Sequence, residues 1–259
     1  WKGYTVGDNT NKDLARHPWR MDDEKLVYPF YEKIVKAGYD IVCVHKGLYP
    51  ASVEKRWPHL TPYATVDDVG KAAKDWPNIR FVIYHSAFRW TGAPGASKEG
   101  YDQFEKTGRI EWTTDLAEIP GKYGVSNVYA DLGQIFAQTT VTEPRLCAAL
   151  MGQLIKGMGA DHVVWGTDAV WTGAPQWQIE GLRRLEIPED MRKTFGFAEL
   201  GPADGPVKRA IFGENSAKMY RYEIKKAAWR DDRFAALKTD YERRGRDPSN
   251  LRYGFVAPT

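Results

Sequence analysis

An α/β barrel is the fold class that the sequence predicts, on three observations. Short runs rich in β-branched and aromatic residues alternate with longer stretches of helical period, the mark of βα units. The runs Ile41 to Val44, Phe81 to Ile83 and Val163 to Trp165 are continuously apolar, as parallel strands covered on both faces are. No G-x-G-x-x-G follows any of them, which removes the main support for an open dinucleotide-binding sheet and favours the closed barrel.

Taken in order, five strands are predicted: Trp1 to Val6, Tyr39 to His45, Ile79 to His85, Asn127 to Asp131 and His162 to Thr167. Between the first two, Asp22 precedes an amphipathic run through Ile34 and Val35 that Gly38 closes. Thr65 with Asp68 three places on resembles a capping box, opening a helix that Pro77 stops. Phe88 to Gly108, with Gly92, Gly95, Gly100 and Pro94, reads as a long βα loop shaping a site. Glu143 and Pro144 open a helix whose Leu146, Leu150, Leu154 and Met158 share one face, and these are core residues. From Lys218 to Arg246 there are ten Lys or Arg against five Asp or Glu, read as a solvated helical tail.

At 259 residues, 42% hydrophobic and 27% charged, the chain is an ordinary globular protein of barrel size. Its formal charge of +3 is too balanced for nucleic acid or an anionic membrane to be its main partner. Cys43 and Cys147 sit in apolar runs and read as buried thiols, with no disulfide framework or Cys-based metal site. No stretch approaches the roughly 18 apolar residues that cross a bilayer, and the N-terminus lacks the order of an export signal. A soluble chain, cytoplasmic by default, is expected; it starts with Trp rather than Met, so an upstream segment is expected too.

Three polar residues end apolar strands: His45 after IVCV, His85 after FVIY and Asp168 after VVWGT. In a (β/α)8 barrel the C-terminal strand ends converge on one face, so these residues should meet there. Two imidazoles and a carboxylate suit a borderline divalent cation, zinc above others, and an unbound His or Asp can move a proton. Asp131 also ends a strand and is a candidate partner behind the first ligands, with N-capping as its alternative role. Trp171 and Arg89 lie in the following loops and are candidates to wall a flat substrate and hold its carboxylate. His17 and His59 read as loop residues, and His162 as structural at the opposite strand end.

Around these residues the chain resembles the amidohydrolase superfamily, in particular its amidohydrolase-2 branch of aminocarboxymuconate-semialdehyde-decarboxylase-like proteins. The resemblance rests on VCVHKG, FVIYHSAF, VVWGTDAVW and FGENSAKMY, in that order, and covers Trp1 to Tyr222. It implies a (β/α)8 TIM-type barrel, with His45 a metal ligand, His85 catalytic, Asp168 binding metal or shuttling a proton, and Asn215 structural. The family's opening H-x-H is absent, and no two of the five histidines stand two apart. The five strands therefore match the fourth to eighth of the barrel, in a unit spanning 1–222 with a polar helical tail over 223–259. A second copy in a homo-oligomer, or a segment preceding Trp1, would close the barrel.

The function this implies is a metal-dependent hydrolase or lyase acting on a small organic acid, amide or lactone, by water attack or decarboxylation. The missing H-x-H keeps open a second class, a non-catalytic barrel-derived interaction module. A sugar-cleaving barrel would need paired strand-end carboxylates, and Asp131 and Asp168 are the sole candidates.

Overall fold

The computed structural model describes residues 1–7, 16–91, 95–225 and 234–245. All five predicted strands form: β1 (Lys2–Tyr4), β2 (Ile41–His45), β3 (Arg80–Tyr84), β4 (Val128–Asp131) and β5 (Val163–Val164). They make one parallel sheet in the order β1-β2-β3-β4-β5, each strand paired with its sequence neighbours. A doubly wound sheet reverses its strand order at a switch point; this one does not, and unbroken sequential order is what a TIM-type barrel shows.

The alternation of side chains along the strands separates two faces. Val42, Val44, Phe81, Ile83, Val128, Ala130 and Val163 enter the main core, while Ile41, Cys43, Val82, Tyr84, Tyr129 and Val164 gather on the other face around Met219. The helices of the main core are α1 (Tyr28–Lys36), α2 (Ala51–Arg56), α3 (Thr61–Ala64), α4 (Val69–Asp75), α5 (Ala96–Thr107), α6 (Thr113–Tyr123), α7 (Ile135–Thr142) and α8 (Pro144–Met158). After β5 follow α9 (Gln176–Arg184), α10 (Glu189–Phe195), α11 (Pro206–Arg209), α12 (Asn215–Tyr220) and α13 (Ala235–Arg243).

The close of α1 is as predicted, but its start is not: Asp22 pairs with Arg20, and the helix begins only at Tyr28. Gly38, at φ +85°, takes the left-handed position, and the Tyr39 and Gly38 N–H groups close the last turn on Ile34 and Val35 carbonyls. In α8, Leu146, Leu150 and Leu154 are fully buried. That helix lies close against α6: a Cβ on Gly157 would stand 2.2 Å from the Ala117 carbonyl oxygen.

Three expectations are corrected. The capping box does not form, because Asp68 is drawn into the core by Lys46 Nζ and the Met21 N–H, each 2.8 Å from its Oδ2. The stretch Phe88 to Gly108 is not one loop: Gly95 and Gly108, both left-handed, bracket helix α5, and residues 92–94 lie outside the described residues. The interior Gly100 is tolerated there because a Cβ would meet the Trp90 ring at 3.0 Å. Strand β5 is shorter than His162 to Thr167, since past Val164 the Trp165 N–H turns away to the Ile211 carbonyl at 3.1 Å. Of the tail beyond residue 222, helix α13 buries no residue, and 226–233 and 246–259 lie outside the described residues. Among the described residues no helix is long and apolar enough to cross a membrane.

Candidate active site

Where β2, β3, β4 and β5 end, the backbone takes left-handed conformations at residues other than glycine: Leu48, the run His85-Ser86-Ala87, Gln134 and Asp168, with φ between 44° and 61°. Each such residue costs of order 1–3 kcal/mol, and clusters of them mark sites where side chains must be aimed rather than relaxed. Gly47 follows His45 for a related reason: a Cβ there would stand 2.5 Å from the Ala87 carbonyl carbon. The loops after β2 and β3 thus touch backbone to backbone, which brings their histidines together.

His45 and His85 are in direct contact, rings edge to face with centroids 4.5 Å apart and His85 Nε2 3.1 Å from His45 Nδ1. Which nitrogens carry protons follows from one neighbour. His85 Nδ1 lies 2.9 Å from the Gly133 carbonyl oxygen, which can only accept, so neutral His85 is protonated at Nδ1 and bare at Nε2. His45 must then donate from Nδ1, and its own Nε2 is left as an unprotonated lone pair.

Gly133 is itself held. Its N–H donates to Asp131 Oδ1 at 2.9 Å, and the Ser86 hydroxyl donates to the Asp131 carbonyl at 2.8 Å. Neither Gly133 nor Gly166 can carry a side chain without a clash, because a Cβ would meet Asp131 carboxylate oxygens at 2.8 Å and 2.3 Å respectively. Asp131, Gly133, His85 and His45 therefore form one chain of hydrogen bonds across three strand ends.

Asp168 lines the same cavity as His85 and Asp131, of about 270 Å³, whose other wall is Ser216, Met219 and Tyr220 of α12. Burial drives both imidazoles toward the neutral form: His45 falls to about 3, with His85 and Lys2 adding to the effect. His85 is lowered by burial against the opposing pull of the Gly133 carbonyl and of Asp168. Burial pushes Asp131 up to about 6, and the Asp168 carboxylate adds to the rise, while the Gly133 and His85 N–H groups oppose it. His85 and Asp131 line the same cavity, and an imidazole with a bare nitrogen is a group suited to proton transfer.

Beneath His45 the next side chain points the other way, as strand period requires. Lys46 is fully buried, its ammonium 2.8 Å from Asp68 Oδ2 and 2.8 Å from the Tyr63 carbonyl. This pair pins the strand end that carries His45. Lys46→Ala, which leaves Asp68 buried and unpaired, should cost roughly 3–5 kcal/mol in urea unfolding. A loss below about 1 kcal/mol would show that the strand end is held by something else.

The predicted residues are thus not all brought together. His85, Asp131 and Asp168 line one cavity and His45 touches His85 from outside its lining, whereas Arg89 and Trp171 are not brought there. The Arg89 guanidinium is taken by two internal carboxylates, Glu54 and Glu111, and lies 5.0 Å above the Trp112 ring, so it cannot serve as the expected clamp for a substrate carboxylate. Trp171 is 85% exposed and does not line the cavity. His17 and His59 are exposed, and His162, at the far strand ends, bonds the Ser126 carbonyl and stacks on Tyr129. Asn215 donates to the carbonyls of Ala160 and Val163, each at 2.8 Å, which is the structural role implied for it. Sequence reading missed the Gly133 carbonyl, a backbone group without side-chain identity, and Ser86, whose signal was its place directly after His85.

Among the described residues no three His, Cys, Asp or Glu side chains converge as a metal would require. The described residues of this chain do not complete a metal centre.

A family model for amidohydrolases matches residues 9–222. No curated protein matches the chain in sequence. Among solved structures, 5-carboxyvanillate decarboxylase from Sphingomonas paucimobilis is similar at 15% identity and a TM-score of 0.41, over 79% of this chain and 56% of its own. Dihydroxybenzoic acid decarboxylase from Polaromonas sp. JS666, with bound manganese and 2-nitroresorcinol, is similar at 12% identity and 0.43, over 85% and 60%. An amidohydrolase from Burkholderia multivorans is similar at 12% identity and 0.42, over 79% and 64%. The chain spans 56–64% of the length of these proteins. The match over residues 9–222, more than four-fifths of the chain, places it: this protein belongs to the amidohydrolase family, in its amidohydrolase-2 branch.

Proposed function

We propose that this chain supplies the His45, His85, Asp131 and Asp168 portion of the active site of a metal-dependent hydrolase or lyase acting on a small organic acid, amide or lactone. The observation that carries the reading is the direct His45 to His85 contact at 3.1 Å, with Asp168 and Asp131 on the cavity that His85 lines. In this reading substrate binding breaks the His45 Nδ1–H to His85 Nε2 hydrogen bond, and His85 Nε2, so freed, takes or returns the proton at the reacting carbon or water, with Asp168 stabilising the imidazolium that forms. Asp131 holds Gly133, and through its carbonyl the tautomer and aim of His85. His45 Nε2 and Asp168 are the proposed metal donors, with zinc the cation that nitrogen and carboxylate donors suit. Such a metal, when bound, lowers the pKa of a water and polarises a carbonyl.

The five strands are proposed as the fourth to eighth of a (β/α)8 barrel. Support comes from their sequential parallel order and from β1 and β5, each of which leaves one edge unpaired in the described sheet. Open edges associate readily, so strands from elsewhere in a longer polypeptide or from a second copy would cover them and bring the remaining metal donors. The lack of three converging ligands among the described residues favours one competing reading, a barrel-derived interaction module without catalysis.

Metal content and product analysis decide between them. The protein is loaded with zinc or manganese and given a panel of small aromatic acids, dicarboxylic acids, amides and lactones. Stoichiometric metal with release of carbon dioxide identifies a lyase, and with a ring-opened or cleaved acid a hydrolase. Neither stoichiometric metal nor turnover would leave the interaction module.

A further inference from the structure

With Arg89 neutralised by Glu54 and Glu111, an organic anion entering this site needs another cation. Counting back by two along β1 and β2 finds it. The register pairs Tyr4 with His45 and Lys2 with Cys43, and His45 with Tyr84 and Cys43 with Val82 on the other side. Since side chains alternate along a strand, Tyr4, His45 and Tyr84 form one row on the face opposite the helices, and Lys2, Cys43 and Val82 form the row beneath.

Lys2 and Tyr4 are exposed and stand outside the lining of the cavity that His85 and Tyr84 share, yet Lys2 does not lie flat in its own row. Its Nζ rises to 4.8 Å from the centroid of the Tyr4 ring and 4.5 Å from that of Tyr84, the two rings that flank His45. The Tyr4 ring in turn lies 5.1 Å from the His45 ring. Among the described residues no carboxylate forms an ion pair with this ammonium. A lysine held between two aromatic faces retains its donors for a third partner, because ring quadrupoles attract the cation without accepting its N–H groups in line.

We propose that Lys2, framed by Tyr4 and Tyr84, is the substrate-anion subsite of this protein: it binds the carboxylate of a small, flat organic acid and places the acid's body against His45 and His85. This rests on the enzymatic reading above and narrows it from acids, amides and lactones to carboxylate substrates. The rings supply apolar walls for a planar ligand and the ammonium supplies a charge-assisted hydrogen bond. Lys2 is a binding residue here, with no part in bond making.

The test uses benzoate and its neutral isostere benzamide as probes, measured by calorimetry on the full chain at low ionic strength. Hydrogen bonds to charged groups are worth about 1.5–3 kcal/mol, so the unaltered protein should bind benzoate at least tenfold more tightly than benzamide. Lys2→Met, which keeps the stem and removes the charge, should abolish that preference while leaving benzamide affinity and the unfolding midpoint unchanged. Lys2→Arg should retain part of it. Raising salt should weaken benzoate alone.

Equal binding of benzoate and benzamide by the unaltered protein overturns the proposal, as does benzoate binding that survives Lys2→Met or no benzoate binding at all. A drop in stability in place of selective loss of benzoate would show Lys2 to be a packing residue and overturn it too. If Lys2-dependent benzoate binding is found but no member of the substrate panel is turned over with any metal, the enzymatic reading fails while the anion subsite stands. Where turnover exists, Lys2→Met should raise KM for acids and leave kcat within about twofold.

Discussion

Replacing His85 by Ala is expected to lower turnover of the accepted acid by about 10²–10⁴-fold, the usual contribution of a positioned acid or base. Bound metal should stay near its original stoichiometry in that variant, because the bare Nε2 of His85 is already engaged by His45 and its other nitrogen by the Gly133 carbonyl. His45→Ala should do the opposite at the metal: it removes the one imidazole nitrogen that the hydrogen-bond chain leaves both unprotonated and unengaged, and metal measured by elemental analysis should be lost. His85→Ala also frees the Gly133 carbonyl, yet the main-chain positions around it are set by Asp131 and Ser86 and should persist. Equal loss of metal in both variants would mean that the roles of the two rings are interchanged or shared. Retained turnover in His85→Ala would remove the proton-transfer role altogether.

The division between what the sequence disclosed and what it withheld follows from the range of the interactions involved. Existence and order of the five strands were legible because burial on both sides of a parallel sheet demands continuous apolar runs, and Val42, Val44, Phe81 and Ile83 supply them. Strand-end positions of His45 and His85 were legible for the same reason, since each polar residue marks where the apolar run stops, whereas Asp168 lies four residues past the end of β5. Asp68 was misread because its local pattern with Thr65 is a capping signal, while the partner that won, Lys46, lies on a different element. Arg89 was misread in the same way, since nothing near it in sequence announces Glu54 or Glu111. Lys2 was passed over because its relation to His45 exists only once β1 and β2 are in register. Local chemistry is readable in a chain; the pairing of distant charges requires the fold.

Asp131→Asn should stabilise the protein above neutral pH while impairing turnover, and the pH dependence of the gain identifies its cause. The folded carboxyl titrates at about 6 against an ordinary 3.8, so between those values the native state binds more protons than the unfolded one and stability falls as pH rises. Below 3.8 the group is neutral in both states and contributes nothing adverse; above 6 the native protein carries the full cost of a buried carboxylate, roughly 3 kcal/mol from that interval. Asparagine does not titrate, has nearly the same shape, and keeps an oxygen to accept the Gly133 N–H. The variant should therefore exceed the parent by about 3 kcal/mol in urea unfolding at pH 7.5 without added metal, and match it at pH 3.5. His45 acts in the reverse sense, since a folded value of about 3 against 6.5 removes stability as pH falls through that window. It does so in both proteins alike and cancels from the difference. A gain of the same size at both pH values would mean that packing, not ionisation, produced it. A loss at pH 7.5 would show that Asp131 is held ionised by a stronger partner. If the gain appears as described and turnover drops with it, the strand-end carboxylate is retained at a cost in stability because His85 needs the backbone that it fixes.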